Sequence, residues 1–222
     1  GIPKEKQAMS HETPRSEESG DSGALHSAIN SAFDYVIENR SDYYRKNPSN
    51  LPQLDSVSGL ISSYTRNNAA ISGGASLIPG PWGMAAVIPE LTLVIRNQIQ
   101  MVYDIGVANG KQAQLTKELL IGIFLTAMGS SAGSLLTIHG GKILVRRASL
   151  QVIQKIIAML GGRVTQQVIK STVSKWLPFV GAAAMATWTG YMTKNIGEKA
   201  NELFKLEIED DPQTLDIELK PE

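Results

Sequence analysis

Three histidines and no cysteine limit what this 222-residue chain can do with nucleophiles or metals. Without a thiol there is no disulfide, no thiolate zinc site and no cysteine nucleophile. His11, His26 and His139 lie far apart. His26 has no second ligand at i+4, and His139 stands beside Gly140-Gly141 with no carboxylate near it in sequence. Zinc needs three or four convergent ligands, so no metal is expected, and His139 reads as a helix C-terminal residue favoured by the dipole. There is no G-x-S-x-G elbow, no H-E-x-x-H and no Walker loop. Gly73-Gly74 and Gly80-x-x-Gly83 follow no strand signal, so they do not read as a phosphate cradle. The expectation is a non-enzymatic protein without a cofactor. The one exception would run through Glu90, which with Arg96 carries the only charge between Arg66 and Asp104. A carboxylate in apolar surroundings must find a partner or take up a proton, which makes Glu90 a candidate buried acid. The plainer reading puts it in a first helical turn, where an acid suits the dipole.

Charge is the second chemical signal. The formal net charge is zero, but its distribution is uneven. Gly1–Asp21 holds about five acids against three bases, and Lys205–Glu222 about seven acids against two lysines, so the middle is basic by about seven charges. Between Glu118 and Glu198 there is no acid at all. The candidate anion- and membrane-binding residues come from that stretch: Lys142, Arg146, Arg147, Lys155, Arg163, Lys170 and Lys175, with Trp176 as an interfacial anchor. Anionic lipid attracts such residues by about 1 kcal/mol each near the surface. The bland alternative is a solvated face neutralised by the protein's own acids. The bases are too dilute, and too free of any known motif, for nucleic acid to be an expected partner.

The elements that must position these residues are helical, and the fold class expected is all-α: a multi-helix bundle with Gly/Pro-rich apolar turns. Residues 1–23 are polar and read as a disordered arm, with no apolar core of a signal peptide. Residues 24–204 read as the helical domain. Leu25, Ile29, Phe33, Val36 and Ile37 mark a first helix ending near Asn47, before Pro48. A second is expected over Leu51–Asn68 and a third over Trp82–Asn109, with Pro89 at its true start and Asn109-Gly110 as its stop. Leu115–Ile138 reads as one apolar helix ended by His139-Gly140-Gly141, and Lys142–Leu160 as an amphipathic helix broken by Gly161-Gly162. Two more follow, Val164–Lys175 and Ala182–Phe204. Residues 205–222 read as an acidic tail that folds back on the basic surface and competes with anionic lipid, or adds as a strand to a partner.

Three runs lack charge: Asn67–Pro89, Leu119–Gly141 and Trp176–Thr193. Leu119–Gly141 comes nearest to the roughly 20 apolar residues a span requires, and its Gly129 and Gly133 have the small-xxx-small spacing. The leading expectation is that all three are core helices of a bundle; insertion is the alternative.

The sequence resembles the EcsC family of bacterial proteins and the related helical domain of some bacterial Era-like GTPases. The resemblance rests on Gly73-Gly74, Pro79-Gly80-Pro81-Trp82-Gly83, the step Pro89-Glu90-Leu91, and a helix ending in Ile99, Met101, Tyr103 and Gly106. A later Pro178, Gly181, Ala182 lead adds to it. At the acidic step Glu90 stands where Asp is the commoner residue of the family. The resemblance implies a helical, often membrane-associated protein and supplies no catalytic residues.

Together these point to a helical protein associating with the cytoplasmic face of an anionic membrane, peripheral to the inner membrane, through a basic apolar surface. One alternative is a secreted pore-forming or membrane-disrupting effector that inserts an apolar helical hairpin. Another is a soluble adaptor with a protein partner.

Overall fold

The computed structural model describes residues 15–75, 82–130, 135–172 and 178–215. Most of them are helical: α1 (Arg15–Lys46), α2 (Val57–Ala75), α3 (Trp82–Ala108), α4 (Lys117–Ala127), α5 (Leu150–Thr172) and α6 (Pro178–Phe204). A small sheet accompanies them, formed by β1 (Leu136–His139), β2 (Lys142–Ala148) and β3 (Glu207–Leu215). The chain is therefore mainly α rather than all-α.

α1 buries Leu25, Ile29, Ala32, Phe33 and Val36, one stripe at helical spacing. It ends at Lys46, just ahead of Pro48. Its start at Arg15 puts residues 15–23 in a helix rather than in a disordered arm. α4 is the innermost helix. Leu119 through Leu125 are all buried, because α1, α3, α5, α6 and β2 surround it. A helix that is apolar on every side belongs in such a position.

α4 stops far short of the single helix expected over Leu115–Ile138. Gly129 adopts φ +80°, with Gly129 N–H donating to Thr126 O and Ser130 N–H to Leu125 O, both at 3.0 Å. That is a Schellman stop, which needs a residue able to take a left-handed conformation. Gly129 therefore terminates the helix instead of packing one helix on another. α3 ends the same way at Gly110 (φ +75°), with Lys111 N–H bonded to Gly106 O.

His139-Gly140-Gly141-Lys142 forms a two-residue hairpin turn, not a helix end. Both glycines have positive φ, +61° and +79°, as a primed turn demands. β1 and β2 pair antiparallel across it, from His139 opposite Lys142 to Leu136 opposite Val145. β2 replaces the first part of the amphipathic helix expected over Lys142–Leu160. β3 pairs parallel to β2, giving the order β1-β2-β3. A parallel neighbour needs a crossover, and α5 followed by α6 supplies it. Ile143, Val145 and Ile208 point from the sheet into the core.

α5 runs through Gly161-Gly162 without a break. Gly161 is there for space: a Cβ would collide with the imidazole of His26 on α1. α6 lies antiparallel to α2. Ile61 faces Gly197, Ala69 faces Gly190 and Ser72 bonds Thr189. A Cβ on Gly197 would stand 2.8 Å from Ile61 Cγ1 and 3.1 Å from Met101 Sδ, so glycine sets how closely α6 approaches α2 and α3. Pro89 lies inside α3, not at its start, and the Thr92 hydroxyl donates to Ile88 O near it at 2.7 Å.

Candidate functional site

The basic residues singled out by sequence divide into two groups. Lys142 and Arg146 sit on the outer row of β2, directly opposite Glu207 and Asp211 of β3, with Leu144 opposite Glu209 between them. Lys142 Nζ is 3.0 Å from Glu209 Oε1 and 3.7 Å from Glu207 Oε2. Arg146 Nε donates to Asp211 Oδ2 at 3.1 Å. The Glu209 hydrogen bond is the main reason the Lys142 ammonium is held above its usual pKa, with both glutamate charges adding to it. The Asp211 carboxylate is lowered, first by the Gln213 backbone N–H and then by Arg146. Residues 207–215 are therefore a strand that neutralises β2, and the acidic tail as bounded at 205 is in part an element of the sheet.

Arg147, Lys155 and Arg163 form the second group. All three side chains are exposed, and none makes an ion pair with a described carboxylate. Lys155, Met159 and Arg163 follow one another at four-residue spacing, which places them on one face of α5. Gln151, Gln154 and Gly162 are exposed beside them. Met159 is 56% and Leu150 68% exposed, among the largest apolar exposures of the described residues. Arg163 Nη2 also reaches Gly129 O, at 3.4 Å. Lys170 lies within α5, while Lys175 and Trp176 fall outside the described residues, as does His11.

Glu90 stands eight residues into α3, so the first-turn reading does not apply. Its Oε2 is buried and accepts no hydrogen bond from the described residues. Arg96, the nearest charge in sequence, is stacked over Tyr35 instead, 4.9 Å from the ring centroid.

Sequence reasoning missed a heavily bonded group among the described residues. Asp104, on the buried face of α3, accepts from Arg40 Nε and Nη2 at 3.0 and 3.1 Å, and from the hydroxyls of Tyr44 (2.7 Å) and Tyr64 (2.8 Å). Gln100 Nε2 donates in turn to Tyr64. Burial, then the Asp104 charge, pushes both phenols well above their ordinary pKa. The sequence signal was available: a single acid among Val102, Tyr103 and Ile105, in an apolar stripe, must be partnered. Every oxygen here is satisfied by the protein itself, so the cluster ties α1, α2 and α3 together and leaves nothing for a ligand.

A second buried polar set joins α2, α3 and α6. Asn68 Nδ2 donates to Thr193 Oγ1 (3.2 Å), Gln98 Nε2 to the same oxygen (3.1 Å), and Asn97 Nδ2 to Asn68 Oδ1 (3.0 Å). His26 packs on α5 and His139 lies in the hairpin. Among the described residues no three His, Asp or Glu side chains gather as a metal site, and no helix is long and apolar enough to cross a membrane. No protein-family model matches this chain, and neither a curated protein nor a solved structure does.

Proposed function

We propose that this protein is a non-enzymatic helical module that adsorbs reversibly to the cytoplasmic face of an anionic membrane. The observation that carries the reading is one face of α5, where Lys155, Met159 and Arg163 follow one another at four-residue spacing, all exposed, with neither cation paired to a described carboxylate. Two such cations amount to about 2 kcal/mol at an anionic surface, between one and two powers of ten in partitioning. The exposed Met159 side chain between them adds shallow insertion. The EcsC-like pattern over Gly73–Gly106 is in keeping with this reading. The test is co-sedimentation with vesicles of anionic or neutral lipid, at low and high salt. Binding is expected with anionic lipid at low salt and falls at high salt as the charges are screened. Equal recovery with both lipids, or none with either, rejects the proposal.

Binding without leakage of entrapped dye is expected. The apolar residues Leu119–Leu125, which an inserting effector would need, are the centre of the core. A soluble adaptor is the second reading. It is favoured by an open groove of about 650 Å³ between α2 and α6, lined by Val57, Ser58, Ile61, Lys194 and Glu198 among others. In that case vesicles are ignored, and a discrete partner is lost when Ser58 is changed to Arg.

A further inference from the structure

Lys142 and Arg146 stand in the same acid-free stretch as Arg147, Lys155 and Arg163, yet these two are paired with carboxylates, all three from β3, while the other three pair with no described acid. We propose that β3 is a built-in acidic mask, whose Glu207, Glu209 and Asp211 occupy the sites on Lys142 and Arg146 that anionic headgroups would otherwise take. This rests on the membrane reading above and adds a means of control to it.

The geometry suits a mask better than a structural clamp. Ile208, 5% exposed, fixes β3 in the core, and Gln114 Nε2 donates to its carbonyl at 2.9 Å. The strand therefore does not depend on the ion pairs to stay in place. The carboxylates lie on its other face, on the water side. The side chains of Lys142 and Glu209 are each 47% exposed and that of Glu207 66%. Ion pairs this open are weak, so a lipid surface with many anionic headgroups can displace them by side-chain rotation while the ladder stays whole. Arg146 and Asp211 are more enclosed, at 29% and 15%, and are the harder pair to open. The mask is graded: Lys142 is released first. Phosphate-bearing and carboxylate-bearing headgroups share the anionic chemistry required.

The experiment uses the full chain and vesicles of phosphatidylcholine with or without phosphatidylserine. Glu209→Gln is expected to tighten binding to the anionic vesicles about fivefold, the equivalent of about 1 kcal/mol for one released cation. Glu38→Gln, an exposed change on α1 with the same effect on net charge, is expected to give less than twofold. In Glu209→Gln combined with Lys142→Gln the gain disappears. Thermal melts confirm that the variants are folded, and Glu209→Asp supplies a variant that keeps the charge and the wild-type affinity. If Glu209→Gln binds no more tightly than Glu38→Gln, or if the gain survives removal of Lys142, the mask is refuted while the α5 reading stands. If no variant binds anionic vesicles, both fall together.

Discussion

Arg40 of α1 grips Asp104 of α3 with two nitrogens, one on each carboxylate oxygen, at 3.0 and 3.1 Å. The side chain of Asp104 is 2% exposed and that of Arg40 20%. Breaking a pair this enclosed leaves an uncompensated charge, a loss of about 3 kcal/mol or more. Asp104→Asn is expected to lower the unfolding free energy by about that amount in urea titrations. Combining it with Arg40→Met should cost less than the two changes added together. Strict additivity would mean the pair is not coupled.

The same cluster dictates behaviour in alkali. The Tyr44 and Tyr64 phenols are raised in the folded protein, chiefly by burial and then by Asp104. A group that holds its proton more tightly when folded contributes stability that is fully present below its unfolded pKa, about 10 for tyrosine. The contribution is lost as pH climbs from there through the folded value. Unfolding free energy is thus expected to decline above about pH 10. Tyr64→Phe, which has no phenolic proton at that position, should show a shallower decline than wild type. Parallel curves for the two proteins would rule this out.

Two glycines in long helices should respond in opposite directions. At Gly197 an added side chain meets Ile61 and Met101, so Gly197→Val is expected to destabilise by about 2 kcal/mol through overpacking. At Gly162 nothing lies within 4 Å of a built Cβ, and the residue is exposed in α5. Gly162→Ala should therefore stabilise by about 0.5–1 kcal/mol, the ordinary gain in helix propensity. Melting temperatures of the two variants on the same side of wild type would contradict the close approach of α6.

Lys155 and Arg163 are exposed on one face of α5 and pair with no described acid, so replacing them should leave the fold intact. Lys155→Gln with Arg163→Gln is expected to weaken binding to anionic vesicles about twentyfold and to flatten its salt dependence. Unchanged affinity in a protein with an unchanged melting curve would move the contact surface elsewhere.

What could be read from sequence was local. The end of α1 before Pro48 and the stop of α3 at Asn109-Gly110 follow from backbone chemistry within a few residues, and both stand. Gly140-Gly141 is ambiguous at that range, since the same pair ends a helix or turns a hairpin. The amphipathic pattern over Lys142–Leu160 favoured helix, and only pairing with β1 decides for the turn. Likewise the tail was legible as a strand only toward a partner, and nothing near Glu207 announces that it pairs with β2. β3 exists because Ile208 is buried in the core and the backbone pairs with the edge of β2, neither of which can be read locally. The partners of Asp104 come from two other helices and could not be named from α3 alone. The basic residues were found as a sequence cluster, but sequence could not separate the pair covered by β3 from the three that stand open on β2 and α5.

The parallel pairing of β2 with β3 has a consequence for biosynthesis. Arg146 and Asp211 are 65 positions apart, and two long helices must emerge and pack before the second strand can reach the first. Until then the β1–β2 hairpin waits with an open edge, and the pocket that Ile208 fills stands empty. Contacts so distant along the chain form slowly, and an open strand edge invites pairing with another nascent chain. Interrupted translation or a stop codon shortly after Phe204 should therefore yield aggregation-prone protein even though every helix is present.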